Sequence, residues 1–220
     1  MREGEDGEMR EKIAFLVVFA AAMAFVEAAV VIYLRALIGG GPLFPMRDLP
    51  PALLAVEVAR EGATLVMLLC AASLAVRGGA RRLGAFLLAF AVWDIFYYLW
   101  LYAAIGWPAG VTDWDILFLI PLPWVGPVWS VLLLCAGMIG SSVFFLRAPE
   151  EAPFAPGLWG WATGAAGSLA VIGTYIFEWV KIGYGRGIPS GFSLPPFVLG
   201  ILLLAASGWI TYRKSQGLPR

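Results

Sequence analysis

The chain contains no histidine. That absence excludes haem held by an imidazole, the usual zinc sites and every triad that needs a histidine base. Cysteine is nearly as scarce: Cys70 and Cys135 are the two present, and both sit in apolar runs. Neither a disulfide framework nor a thiolate cluster is expected from such a pair. Charge is sparse and balanced, with 15 Lys and Arg against 15 Asp and Glu. A neutral chain offers no basic surface for nucleic acid, so none is expected as a partner. Nucleotide-binding glycine loops, a GxSxG elbow and metalloprotease helices are missing, and no internal repeat is visible. No cofactor is implied.

What the chain has instead is apolar length. It is 61% hydrophobic, with a mean hydropathy of +0.84. Six segments read as membrane spans: roughly 13–36, 51–76, 83–106, a long run over 116–146, 158–182 and 195–212. The first is too long for a signal-peptide core and carries Glu27, so it reads as a retained helix. Segments rich in Gly and Pro separate the spans, such as GGGPLFPMRDLPP, GWPAGVTDWD and GYGRGIPSG. The expected organisation is a charged cytoplasmic tail over 1–12, one six-helix transmembrane domain over 13–212 and a second tail over 213–220. The expected class is an all-α integral membrane protein with the lipid bilayer as its surroundings.

The distribution of basic residues sets an orientation. One side collects Arg2, Arg10, Lys12, Arg77, Arg81, Arg82, Arg147, Arg213, Lys214 and Arg220; the other holds Arg35, Arg47, Lys181 and Arg186. The positive-inside rule then places both termini in the cytoplasm, in what reads as a bacterial cytoplasmic membrane. Trp107, Trp114 and Trp124 would lie near the outer face as interfacial anchors.

The run over 116–146 is too long for one upright span and has Pro121, Pro123 and Pro127 within seven residues. Proline removes a backbone donor and restrains the residue before it. A Pro-broken or re-entrant segment is therefore expected near 116–127, followed by a full span from about 127. Backbone of that kind at membrane depth is tolerated where it is buried in protein or lines a cavity.

Ionisable residues inside the spans are the candidate site. Glu57, Arg60, Glu61 and Thr64 are spaced i, i+3, i+4, i+7 and share one helical face. In span three, Asp94, Tyr97, Tyr98 and Leu101 repeat that spacing, and in span one Glu27 follows the small residues Ala20, Ala21, Ala24 and Ala28. At about 1.5 Å per residue these groups fall in one layer of three consecutive helices. Four carboxylates then face Arg60, with Arg35 reaching down from the end of span one. Arginine keeps its proton in essentially any protein setting. The excess negative charge calls for retained protons, a bound cation or water. Oxygen ligands alone would suit Mg, Ca or Mn, but Arg60 in their midst argues against a metal.

Three functions fit this pattern. The first is a transport or solute- or cation-binding protein reached from the outer face through Glu27, Glu57, Arg60, Glu61, Asp94, Tyr97 and Tyr98. The second is an intramembrane acid–base enzyme on a lipid or isoprenoid, with Asp94 or Glu61 moving the proton and Arg60 orienting an anionic group. The third is a non-catalytic subunit or assembly factor whose polar network glues helices. Asp113 and Asp115 are candidates for an acidic outer mouth, or for capping a helix together with Thr112. Glu178 and Lys181 read as an interfacial ion pair with the lysine extended outward. Gly160, Gly164 and Gly167 form a small-residue helix face that reads as helix packing ahead of a specific dimer, and small-residue faces of this kind can also take a membrane protein partner.

The stretches FVEAAVVIYLR, EVAREGATLVMLL, WDIFYYLWL and WDILFLIPLPWVGPVW resemble small polytopic bacterial membrane proteins of uncharacterised function, over roughly residues 25 to 130. In architecture alone, the six spans and the spacing of Ala20, Ala24 and Ala28 are similar to substrate-capture subunits of energy-coupling-factor vitamin transporters. That likeness implies a transmembrane partner for the alanine face and carries no vitamin-binding motif.

Overall fold

A computed structural model describes residues 2–41, 43–150 and 156–215, except for the side chains of residues 2–6, 212 and 215. It is mostly helical, in the order α1 (Arg2–Leu37), α2 (Pro51–Ala75), α3 (Gly79–Ile105), β1 (Trp114–Phe118), β2 (Trp124–Pro127), α4 (Val128–Leu146), α5 (Gly157–Lys181) and α6 (Leu194–Ser215). Four of the helices, α1 from Gly7 onward, α3, α4 and α6 up to Thr211, are long and apolar enough to cross a membrane. The two expected tails are described in part. Residues from Arg2 to Lys12 form the opening turns of α1, where Lys12 pairs with Glu8 at 2.6 Å in the i,i+4 spacing that supports a helix. Arg213 and Lys214 end α6, and residues 216–220 of the expected C-terminal tail lie outside the described residues.

Helix ends follow local chemistry. α2 starts at Pro51, whose fixed φ and missing donor suit a first helical position. α3 stops at Gly106, which takes a left-handed conformation (φ 66°) and donates its N–H to the Tyr102 carbonyl at 2.9 Å.

The segment over 116–127 is neither helical nor merely broken: with Trp114 and Asp115 it forms a two-stranded antiparallel hairpin. Trp114 pairs with Pro127, Asp115 with Gly126, Ile116 with Val125 and Phe118 with Trp124, with an irregularity between Ile116 and Phe118. The prolines forbid a helix here, and aromatic and β-branched residues favour strands. Proline is accepted at strand ends, where Pro127 sits. The Phe118 and Trp124 rings close the cross-strand pair at 5.3 Å. α4 begins directly after the hairpin.

The chain divides into two compact units. The first holds α1, α2, α3 and α4. In it α3 is the central element, packed on α4, α1 and α2. α3 and α4 meet at Gly84, where a Cβ would lie 2.9 Å from the Phe145 Cβ and 3.0 Å from the Leu146 nitrogen. The second unit holds the hairpin, α5, α6 and residues 43–48. Its core is aromatic: Trp124 stacks on Tyr175 at 6.3 Å and 10°, and Tyr175 meets Phe192 and Phe197, each at 5.8 Å.

The small-residue faces are occupied within the chain. Ala20, Ala24 and Ala28 are at most 1% exposed, and α1 packs chiefly on α3, whose Trp100 Nε1 donates to the Ala21 carbonyl at 2.9 Å. In the second unit Ser207 Oγ donates to the Gly160 carbonyl at 2.7 Å, and a Cβ at Gly167 would lie 2.9 Å from the Gly200 carbonyl oxygen. Close helix approach inside the chain occupies both faces.

Candidate functional site

The first unit buries the polar stripe of α2 and turns its apolar residues outward. Glu57, Glu61, Thr64, Leu68 and Ala72 are buried, while Val56, Val58, Val66, Met67, Leu69 and Leu74 are exposed. Helical periodicity puts the first set on one face, and burial selects that face although three of its members are polar.

Arg60 is the hub of what is buried there. Its Nε donates to Glu57 Oε2 at 2.9 Å and its Nη2 lies 2.8 Å from the same oxygen, while its Nη1 pairs with Glu27 Oε1 on α1. Thr64 Oγ donates to Glu27 Oε2 at 3.3 Å. One guanidinium thus joins α1 to α2, with a threonine one turn along α2 fixing the second oxygen of the α1 carboxylate. Glu61 and Tyr97 are close enough to interact electrostatically with Arg60. Tyr97 brings α3 into the same cluster.

Asp94 lies on α3 one turn before Tyr97 and Tyr98. Its Oδ2 accepts the Cys135 thiol of α4 at 3.7 Å, and Cys135 is fully buried. Cys135 was not among the residues singled out from sequence. Its only signal there is that it stands in an apolar run, where a thiol reads as a small hydrophobe. Tyr97 and Tyr98 meet edge to face at 5.1 Å. Trp93 stacks on Tyr97 at 6.4 Å, and Trp107 lies 6.2 Å from Tyr98.

Arg35 does not reach down toward the carboxylates as expected. Its guanidinium carbon sits 4.0 Å from the Trp107 ring centre, a cation–π contact that holds it at the end of α1. Trp107 thereby supports an arginine rather than serving as a lone interfacial anchor.

The other candidates are placed differently from expectation. Asp113 does not cap a helix, because a strand follows it; its Oδ2 accepts the Ala109 N–H at 2.7 Å and closes the turn after α3. Asp115 is 2% exposed in β1, and its Oδ1 accepts the Ile116 N–H at 2.9 Å. One carboxylate shapes a turn and the other is buried.

In the second unit Glu178 and Lys181 pair at 3.2 Å, with the glutamate buried and the lysine exposed. Its Nζ donates to the Gly191 carbonyl, and Glu178, 1% exposed, accepts the Ser193 N–H at 2.7 Å. The pair staples the end of α5 to the segment that enters α6. Sequence spacing showed the pair, whereas the backbone partners lie ten and fifteen residues away and leave no periodic trace.

Among the described residues, no three acidic or cysteine side chains are grouped to hold a metal ion. The site residues brought together are Glu27, Glu57, Arg60, Glu61 and Tyr97, with Asp94 and Tyr98 adjoining through α3. Chemically, the cluster can exchange protons, hold a small cation or bridge helices. No protein-family model, curated protein or solved structure matches the chain.

Proposed function

We propose that the chain is a six-span protein of a bacterial cytoplasmic membrane, with both termini in the cytoplasm. Its role in this reading is transport or solute binding, with the α1–α2–α3 cluster as the protonatable site reached from the outer face. Support for α2 and α5 as spans comes from their inverted surfaces. Both bury polar or small residues and expose large apolar ones, Leu158, Trp159, Trp161, Leu169 and Phe177 in the case of α5. Water would disfavour that arrangement, and hydrocarbon accepts it.

The observation that carries the functional reading is the charge of the cluster. Glu27 and Glu57 share the Arg60 guanidinium, Glu61 is close enough to interact with it, and Asp94 lies on α3 one turn before Tyr97. Full ionisation of all four in a low-dielectric setting is costly, so protons or a cation complete the site. A guanidinium already sits among the carboxylates, and its charge favours protons over a metal cation. Glu61 and Asp94 are the groups assigned to carry them.

Infrared difference spectroscopy of the purified protein at neutral pH tests this. A protonated-carboxyl carbonyl band is expected, reduced in both Asp94→Asn and Glu61→Gln. If only ionised carboxylate bands appear, the proton-carrying reading is wrong. The second reading, a non-catalytic subunit, is favoured by the closure of Arg60 on Glu27 and Glu57, which ties two helices without any ligand. It predicts that outcome.

A further inference from the structure

A groove of about 420 Å³ opens in the first unit, far along the chain from the Arg60 cluster, lined by Met9, Arg81, Val143, Leu146 and Arg147. Three elements build it: the opening turns of α1, the first turn of α3 and the end of α4 with the residue that follows. Its chemistry is two-sided. Met9, Val143 and Leu146 give an apolar floor, and Val143 is 45% exposed. Arg81 and Arg147 add two guanidiniums to that floor.

The two arginines are set up differently. Arg81 is anchored: its Nε donates to the Ala148 carbonyl at 2.8 Å, and its Nη1 lies 3.5 Å from Glu150 Oε2. The anchor orients the guanidinium, while Glu150 is half exposed and its charge is screened by solvent. Arg147 is exposed and enters none of the ion pairs among the described residues. The nearby Glu8 is committed to Lys12. The groove therefore keeps a net positive charge beside an apolar surface.

The geometry points to this groove as a binding site for an anionic phospholipid, with its phosphate between Arg81 and Arg147 and an acyl chain along Val143 and Leu146. Guanidinium matches phosphate in shape and can bond it through two N–H groups at once. Basic pockets between helices at a membrane boundary suit anionic headgroups, and a zwitterionic lipid gains less because its own cation offsets the phosphate. Arg77 and Arg82 lie near the same end of α3 in sequence and add to the field, whereas Lys12 is neutralised by Glu8. This site is separate from the protonatable cluster and stands whether or not that cluster moves protons.

The experiment is native mass spectrometry of the full-length protein, delipidated in detergent and titrated with phosphatidylglycerol or phosphatidylcholine. Phosphatidylglycerol is expected to bind more tightly, and Arg147→Ala to weaken it about fivefold, the scale of one basic residue at a membrane surface. Arg186→Ala, in the loop before α6, is the control and is expected to change nothing. Arg147 is exposed, so its loss does not threaten folding. Equal retention of both lipids would overturn the proposal, as would an unchanged affinity in Arg147→Ala. Displacement of the lipid by millimolar inorganic phosphate would also overturn it, by showing that the groove reads a bare anion.

Discussion

Replacing Arg60 with methionine keeps most of the side-chain volume and removes the guanidinium that Glu27 and Glu57 share. Two buried carboxylates would then face each other without it, and breaking a buried pair costs about 3 kcal/mol or more. Thr64→Val removes one interhelical hydrogen bond at 3.3 Å, and bonds of that kind within membranes average about 0.6 kcal/mol. Unfolding in mixed micelles should therefore rank Arg60→Met well below Thr64→Val in stability. Equal losses would mean that the guanidinium contributes no more than a hydrogen bond. The stripe of Glu57, Arg60, Glu61 and Thr64 was legible in the sequence because helical periodicity forces residues at that spacing onto one face. The partner of Arg60 on α1 was less so. Glu27 and Arg35 are both charges on that helix, and only packing decides that Glu27 meets Arg60 while Arg35 lies on Trp107. Cys135 as the donor to Asp94 was not legible at all, since nothing in an apolar run marks which small residue will face a carboxylate.

Between elements, the closest approaches are made through glycine and give a paired test. At Gly167 a Cβ would lie 2.9 Å from the Gly200 oxygen, the Leu204 nitrogen and the Leu204 Cγ, and two of those atoms are backbone that cannot step aside. Gly167→Ala is expected to destabilise the α5–α6 pair by about 1–3 kcal/mol, the range for overpacking. At Gly173, on the same helix, a Cβ meets nothing within 4 Å. Gly173→Ala should be neutral or stabilising by up to about 1 kcal/mol, the difference in helix propensity. Thermal unfolding of the two variants in one detergent checks both signs. Glu178 acts on the same scale: Glu178→Ala is expected to loosen the segment entering α6, read as faster amide exchange at Ser193, whose N–H it accepts. The hairpin shows what pattern alone leaves open. Pro121, Pro123 and Pro127 ruled out a continuous helix, but choosing between a kinked helix, an irregular stretch and paired strands requires a partner strand. That partner, Trp124–Pro127, follows directly on Pro121 and Pro123 and ends at Pro127.

For the whole molecule, orientation is the first quantity to measure. With native cysteines replaced, a membrane-impermeant thiol reagent added to intact cells should label Gly110→Cys and Arg186→Cys. It should reach Arg82→Cys and Arg213→Cys only after permeabilisation. Gly40→Cys, before α2, should label in intact cells; if α2 did not span, it would label together with Arg82→Cys, and the six-span reading would fall. The sequence by itself determined that long apolar helices dominate, where they break and which faces carry ionisable groups. Those properties depend on hydropathy, periodicity and the backbone chemistry of proline and glycine, all of which act over a few residues. Only the tertiary structure decided that Arg60 bridges α1 to α2, that the alanine and glycine faces are used up inside the chain and that residues 114–127 pair as strands. The same holds for Met9, Arg81 and Arg147, which meet around one groove. Each of these depends on which distant segment arrives at a given surface, and close packing settles that across many contacts at once.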